Sequence, residues 1–83
     1  MAYGWFNCKV HLTGPADDTN IYIALSDNAG AFPNQWFVAV ASMKNEMLAT
    51  ALSAIASGRD VLAAVSDTAP YSTILRFYVN ADS

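Results

Sequence analysis

Charge is scarce in this chain. Only 13% of its 83 residues are Asp, Glu, Lys or Arg, about half the share of an ordinary soluble domain. Four Lys and Arg face seven Asp and Glu, for a formal net charge of −3, and no basic run occurs. A protein that lives by gripping phosphate backbones needs the opposite balance, so nucleic acid is not the expected partner. One cysteine, Cys8, excludes an intramolecular disulfide. On an apolar strand face it reads as a buried, inert thiol. One histidine, His11, leaves no Ser-His-Asp set that is not arbitrary. The turn pair Asp17 and Asp18 lacks the further ligand spacing of a calcium loop, and no Gly-rich phosphate loop follows a strand. Neither catalysis, nor a metal, nor another cofactor is therefore expected. No stretch approaches the roughly 18 apolar residues of a membrane span. The opening MAYGWFNCKV has no basic region followed by an apolar run. It reads as no signal peptide, and secretion is expected only where a leader has been removed.

What is present is apolar surface. Hydrophobic residues make up 54% of the chain, more than one small core needs. Residues 1–83 are expected to form a single domain. The surplus points to an oligomer that hides a second apolar surface.

The strands are legible. In the first, Phe6, Cys8, Val10 and Leu12 alternate with Trp5, Asn7, Lys9 and His11, the period of a half-buried strand. Gly14 and Pro15 punctuate a turn over 13–18. Further strands are expected over 20–26, 35–41, 59–66 and 72–80, where β-branched and aromatic residues gather. In the last, Thr73, Leu75, Phe77 and Val79 alternate with Ile74, Arg76 and Tyr78. A helix is expected to begin at Met43 and end at Ser57. Ser42 suits its N-cap, Glu46 suits the positive pole of its dipole, and Gly58 suits a left-handed stop. The order β-β-β-α-β-β predicts an α+β, mainly β chain: a five-stranded barrel of the oligonucleotide/oligosaccharide-binding (OB) type, its helix closing one end. An edge of the first or fifth strand is then available to a neighbouring subunit.

The helix has an unusual outer side. Met43, Met47, Leu48, Ala51, Leu52 and Ile55 are assigned to the core. Ala49, Thr50, Ser53, Ala54 and Ser57 are assigned to the opposite side, which is small and nearly uncharged. A solvated helix carries Lys and Glu there. These residues are expected to face other copies of the helix, across a seam or a narrow pore.

The run ASMKNEMLATALSAIASGRDVLAAV over 41–65, above all SMKN and TALSAIASGRDV, together with the opening YGWFNCKV, resembles the B subunits of the subtilase cytotoxin and pertussis toxin type. That resemblance implies a pentameric ring with helices lining its pore and barrels joined strand to strand. It also implies binding of cell-surface glycans, often sialylated, and docking of a catalytic A subunit. Family members usually join the second and third strands by a disulfide, whereas Ala24 and Val40 stand at such places here.

Sugar recognition needs an aromatic ring for the apolar face of a pyranose and polar groups for its hydroxyls. Two places offer both. Tyr3, Trp5, Asn7 and Lys9 share the outward side of the first strand. Ser66, Asp67 and Tyr71, with Thr68 and Ser72, lie between the last two strands. The resemblance favours the first place: the family's small polar glycan contact follows the Phe of strand one, where Asn7 stands, while Tyr3 replaces an acidic contact. The alternatives are a subunit seam at Tyr3, Trp5 and Asn7 and an ordinary turn at 66–72. Two functions remain open: a ring-forming, lectin-like subunit, and a structural ring with no sugar ligand.

Overall fold

The computed structural model describes residues 4–81; Tyr3 lies outside the described residues. Five strands and one helix follow in the expected order: β1 Gly4–Pro15, β2 Ile21–Asp27, β3 Gln35–Ala39, α1 Lys44–Ser57, β4 Val61–Val65 and β5 Thr73–Val79. The strands close into an OB-like barrel in the order β1-β2-β3-β5-β4. All neighbours are antiparallel except β3 and β5, which close the barrel through a short parallel pairing at Val38 with Thr73 and Ala39 with Ile74. Phe37, Ile23, Leu25, Ile74, Val61 and Val65 fill the interior and are sealed from solvent.

Closing five strands requires sharp bends, and two bulges supply them. In β1, Val10 pairs with Leu25 and Leu12 with Ala24. Two residues of β1 thus advance against one of β2, and His11 is the extra one. The inserted residue reverses the side-chain alternation beyond it. Leu12, assigned from its spacing to the core, therefore points outward and is 57% exposed. In β5, Arg76 pairs with Ala64 and Ile74 with Val65, leaving Leu75 as the extra residue. Ile74 and Phe77 then both face the core, in place of the unbroken Thr73-Leu75-Phe77-Val79 series.

The loop between β2 and β3 also contributes to the core. Phe32 is buried and meets Phe6 and Phe37 edge to face at 5.3 and 5.0 Å. Asp27 holds this loop: its Oδ2 accepts the Ala31 N–H at 2.8 Å, and its carbonyl accepts the Gly30 N–H. Gly30 supplies the left-handed turn, at φ 89°. At the strand's start, a Cβ on Gly4 would come within 2.9 Å of the Phe6 ring, so the bare backbone lets that ring fold back toward Phe32.

The helix begins differently from the expectation and ends as expected. Ala41–Met43 form a short 3₁₀ turn, and no side chain caps either it or α1. Ser42 is not the N-cap, because the 3₁₀ turn carries the chain into the helix by backbone geometry. Gly58 takes the left-handed conformation at φ 70°, and the N–H groups of Gly58 and Arg59 both reach the Ala54 carbonyl.

The side α1 buries is rotated from the expected one. Met47, Ala51 and Ala54 enter the core and Leu48 is half-buried, while Met43, Leu52 and Ile55 are exposed at 41%, 51% and 43%. Ala54, assigned to the outer side, is a core residue. Small Ala51 and Ala54 let the helix axis settle closely on the strands, mainly β1 and β5. The larger Leu52 and Ile55 are displaced to the flank. Beyond Glu46, α1 carries no charged residue that could mark where its inner side should stop.

Candidate functional site

At one end of the barrel, the turn after β1, the outer sides of β2 and β3, and the loop before β5 converge on a groove of about 440 Å³. Its walls include Leu12, Pro15, Tyr22, Trp36 and Tyr71. The His11 bulge places Leu12 there. Tyr22 sits between the buried Ile21 and Ile23, and Trp36 precedes the buried Phe37, so strand alternation turns both rings outward. Tyr22 and Tyr71 stand nearly perpendicular, with centroids 6.0 Å apart. Among the described residues, none that lines the groove is charged.

The groove is held open by connections that cost backbone energy. Tyr71 sits at φ 65° and Thr19, in the turn after β1, at φ 70°. Left-handed backbone is unfavourable for residues with a Cβ, by about 1–2 kcal/mol. It persists where surrounding contacts demand it and tends to gather at functional sites. Here the Tyr71 N–H donates to the Trp36 carbonyl at 2.6 Å, and Gln35 Nε2 donates to the Thr68 carbonyl at 2.5 Å. Both bonds pin the loop before β5 onto β3. On the other side, the Tyr22 hydroxyl donates to Asp18 Oδ2 at 2.5 Å and the Asn20 N–H donates to Asp18 Oδ1 at 3.1 Å. The Tyr22 hydroxyl, and next the Asn20 backbone, hold the Asp18 carboxyl below its ordinary value; Asp18 in turn raises the Tyr22 phenol.

No family model, curated protein or solved structure matches this chain. Its own geometry carries the functional argument.

Of the residues singled out from sequence, Tyr71 lies in the groove. Ser66 and Asp67 do not line it: the Ser66 Oγ accepts the Thr73 N–H at 3.0 Å, and Asp67 Oδ1 accepts the Thr68 N–H at 2.7 Å. These contacts shape the loop that presents Tyr71. Trp5 and Asn7 lie elsewhere. Trp5 and Leu12 are seven positions apart in β1, roughly 23 Å along the strand. Trp5 stacks on Tyr78 at 6.1 Å and 11°, across β4. Trp5 and Asn7 also border a shallow, more open depression beside Asp27 and Asn28. Lys9 is exposed on the same strand. The structure thus separates the two sequence candidates and adds Tyr22, Trp36, Leu12 and Asp18. A signal for the first two exists in the sequence: each is an aromatic at an outward strand position, flanked by core residues. In an OB-type barrel that surface and its two flanking loops form the ligand face.

The exposed side of α1 is a separate feature. Leu48, Leu52 and Ile55 follow one another at helical spacing, with Ala49 and Ala56 alongside. The neighbouring hydroxyls are turned back on the helix: Thr50 Oγ1 donates to the Glu46 carbonyl at 3.0 Å and Ser57 Oγ to the Ser53 carbonyl at 2.8 Å. Their polarity is thereby partly spent on the backbone. Thr50 is half-buried, beside a crevice with Met43, Glu46 and Arg76, while Ala49, Ser53 and Ser57 remain exposed.

Cys8 is sealed in the barrel. Burial, with Asp27 and Asp60 adding to it, pushes its thiol up to about 12. A thiol so rarely ionised is a packing residue. Among the described residues no helix is long and apolar enough to cross a membrane.

Proposed function

We propose that this chain is a carbohydrate-binding subunit that works as an assembly of identical copies, as its resemblance to toxin B subunits implies. The observation that carries the proposal is the groove walled by Tyr22, Trp36 and Tyr71. A pyranose presents a patch of C–H bonds that stacks on an aromatic ring, and hydroxyls that need acceptors at the rim. The groove offers rings in its walls and a carboxylate bonded to one of them. Its position on the OB-type ligand face supports the same reading. An oligonucleotide would also stack on such rings, but a chain of net charge −3, with no charged residue among the described ones that line the groove, does not supply the basic track that a phosphate backbone follows. Single groove affinities for sugars are modest, and copies held on one assembly multiply them.

The test is titration with a panel of oligosaccharides, followed by tryptophan fluorescence. In a Trp5→Phe background the emission reports Trp36 alone. Saturable quenching supports the proposal. No response to any glycan, from protein shown to be folded, rejects it.

A second reading, a structural ring without a sugar ligand, is favoured by the exposed Leu52 and Ile55 of α1, with half-buried Leu48 beside them. Exposed apolar surface of this kind marks an interaction site. Light scattering that finds an oligomer, alongside a silent glycan panel, would select it.

A further inference from the structure

Resting on the sugar-binding reading, we infer that the groove is selective for sugars carrying an N-acetyl group, with Leu12 and Trp36 receiving the acetamido and Gly14 leaving room for the sugar ring. The strand register sets out the places. Leu12 of β1 and Trp36 of β3 flank Ala24 of β2. Ala24 lies on the outer side, apart from the core cluster, yet it is only 3% exposed. The three make an apolar shelf, on which Leu12 is left uncovered. Two residues along each strand, roughly 7 Å away, Gly14 stands opposite Tyr22. A Cβ on Gly14 would meet nothing within 4 Å, and its backbone is not left-handed. No turn or close contact therefore calls for glycine there. What its bareness supplies is open space beside Tyr22, next to the shelf.

The polar side chains of the lining are Thr13, Tyr22, Trp36 and Tyr71. The Thr13 hydroxyl donates to the Tyr22 carbonyl at 3.2 Å and the Tyr22 hydroxyl donates to Asp18, so both protons are committed. Among the described residues, nothing accepts from the Trp36 indole N–H or the Tyr71 hydroxyl. The indole is a donor only, so a matching ligand group brings an acceptor. Beside Leu12 the matching group also brings apolar surface. An acetamido joins the two: its carbonyl accepts, its methyl is apolar, and its N–H can bond to the Tyr71 oxygen or to water. A bare hydroxyl at the same sugar carbon can meet the donor but leaves the shelf wet. The acetamido is neutral, so its entry does not depend on the charges of Asp18 and Lys44, which lie outside the lining. One methyl buried and one hydrogen bond gained together amount to about tenfold in affinity.

The experiment titrates the full chain, by calorimetry, with neutral sugars in matched pairs that differ only in an acetamido for a hydroxyl. The pairs are N-acetylglucosamine with glucose and N-acetylgalactosamine with galactose, as methyl glycosides, and di-N-acetylchitobiose with cellobiose. Wild type is expected to bind the acetylated member about tenfold more tightly in at least one pair. Leu12→Ser removes the apolar shelf, and Trp36→Phe keeps a ring but removes the N–H. Each should narrow the gap at least about threefold. Gly14→Leu, shown to be folded by circular dichroism, should weaken both members by about tenfold, because its side chain occupies the room for the sugar ring. Equal or tighter binding of the unacetylated members overturns the inference while leaving the sugar-binding reading intact. So does a gap that survives both Leu12→Ser and Trp36→Phe, or silence on all pairs while other glycans bind. Silence of the folded wild type on every glycan overturns the sugar-binding reading itself.

Discussion

Two aromatic regions of this barrel use similar side chains to different ends. Trp5 and Tyr78 lie nearly parallel on the outside of β1, β4 and β5, about half exposed, on regular strand backbone. Tyr22, Trp36 and Tyr71 surround a concavity, and the nearest-set pair of rings is perpendicular. Stacked rings on a convex sheet shield one another and present edges. Rings set at an angle around a hollow leave their faces to a ligand. The second arrangement needs Tyr71 and Thr19 to accept left-handed backbone and Asp18 to tether Tyr22. Strand alternation alone makes the first. One region is thus a flat stacked pair and the other an angled set of rings around a hollow, although their composition is nearly the same.

The two regions should differ most in their tryptophans. Trp36→Ala should weaken glycan binding at least about tenfold, since it removes a stacking surface, whereas Trp5→Ala should change it less than about twofold. Titration of both variants against the best glycan of the panel decides. Equal losses would mean that the groove is not the binding place.

The proposed assembly is expected to depend on the helix instead. Leu52→Glu places a charge in the centre of the exposed apolar stripe. It should lower the molar mass by light scattering to that of a single chain, with an unchanged circular dichroism spectrum. Ser53→Glu, on the adjoining small side, should act in the same direction where neighbouring helices meet closely. An unchanged mass in both variants would remove α1 from the interface.

Strain offers a finer cut. Thr19→Gly should raise stability in urea by about 0.5–1 kcal/mol, because a β-branched residue at positive φ is replaced by one that tolerates it. Tyr71→Gly relieves the same strain but loses the ring contact with Tyr22, so its stability should stay within about 1 kcal/mol of wild type. Its glycan binding should nevertheless be lost. A large fall in stability would make Tyr71 a structural residue.

The smallest expected effect is a titration. Asp18 has a lowered folded value, so its contribution to stability is present above the ordinary carboxylate range near pH 4 and is lost as pH falls through the lowered value. Tyr22 has a raised folded value, so its contribution is present below about pH 10 and is lost as pH rises through the raised value. Ultraviolet absorbance should show one tyrosine ionising late, and Asp18→Asn should restore it to the ordinary range. An unchanged tyrosine titration in the variant would mean that the bond is not kept in solution.

The order of elements was legible because it depends on local signals. Gly58 stops the helix where a residue without a Cβ can take positive φ, and the strands carry Ile, Val, Phe and Tyr between turn residues. The facing of individual side chains was legible only up to each bulge. Leu12 and the series through Leu75 obeyed perfect alternation on paper, yet one inserted residue in β1 and one in β5 reversed it. Nothing near His11 or Leu75, such as a glycine, announces the insertion. Of the groove, Tyr71 was visible as a polar-loop aromatic. Trp36 and Tyr22 looked like ordinary strand residues until the turn after β1 and the loop before β5 were brought to their side.

Taken alone, then, the sequence determined that five strands and one helix form in this order and that more apolar surface exists than one core can hold. Periodicity, turn residues and composition are short-range properties and survive without knowledge of the whole. Tertiary structure alone decided that Ala54 rather than Ile55 enters the core, that Leu12 leaves it, and that Tyr22, Trp36 and Tyr71 meet. Those outcomes follow from closing a small barrel: five strands must bend at particular residues to meet, and the helix must settle as near as its smallest side chains permit.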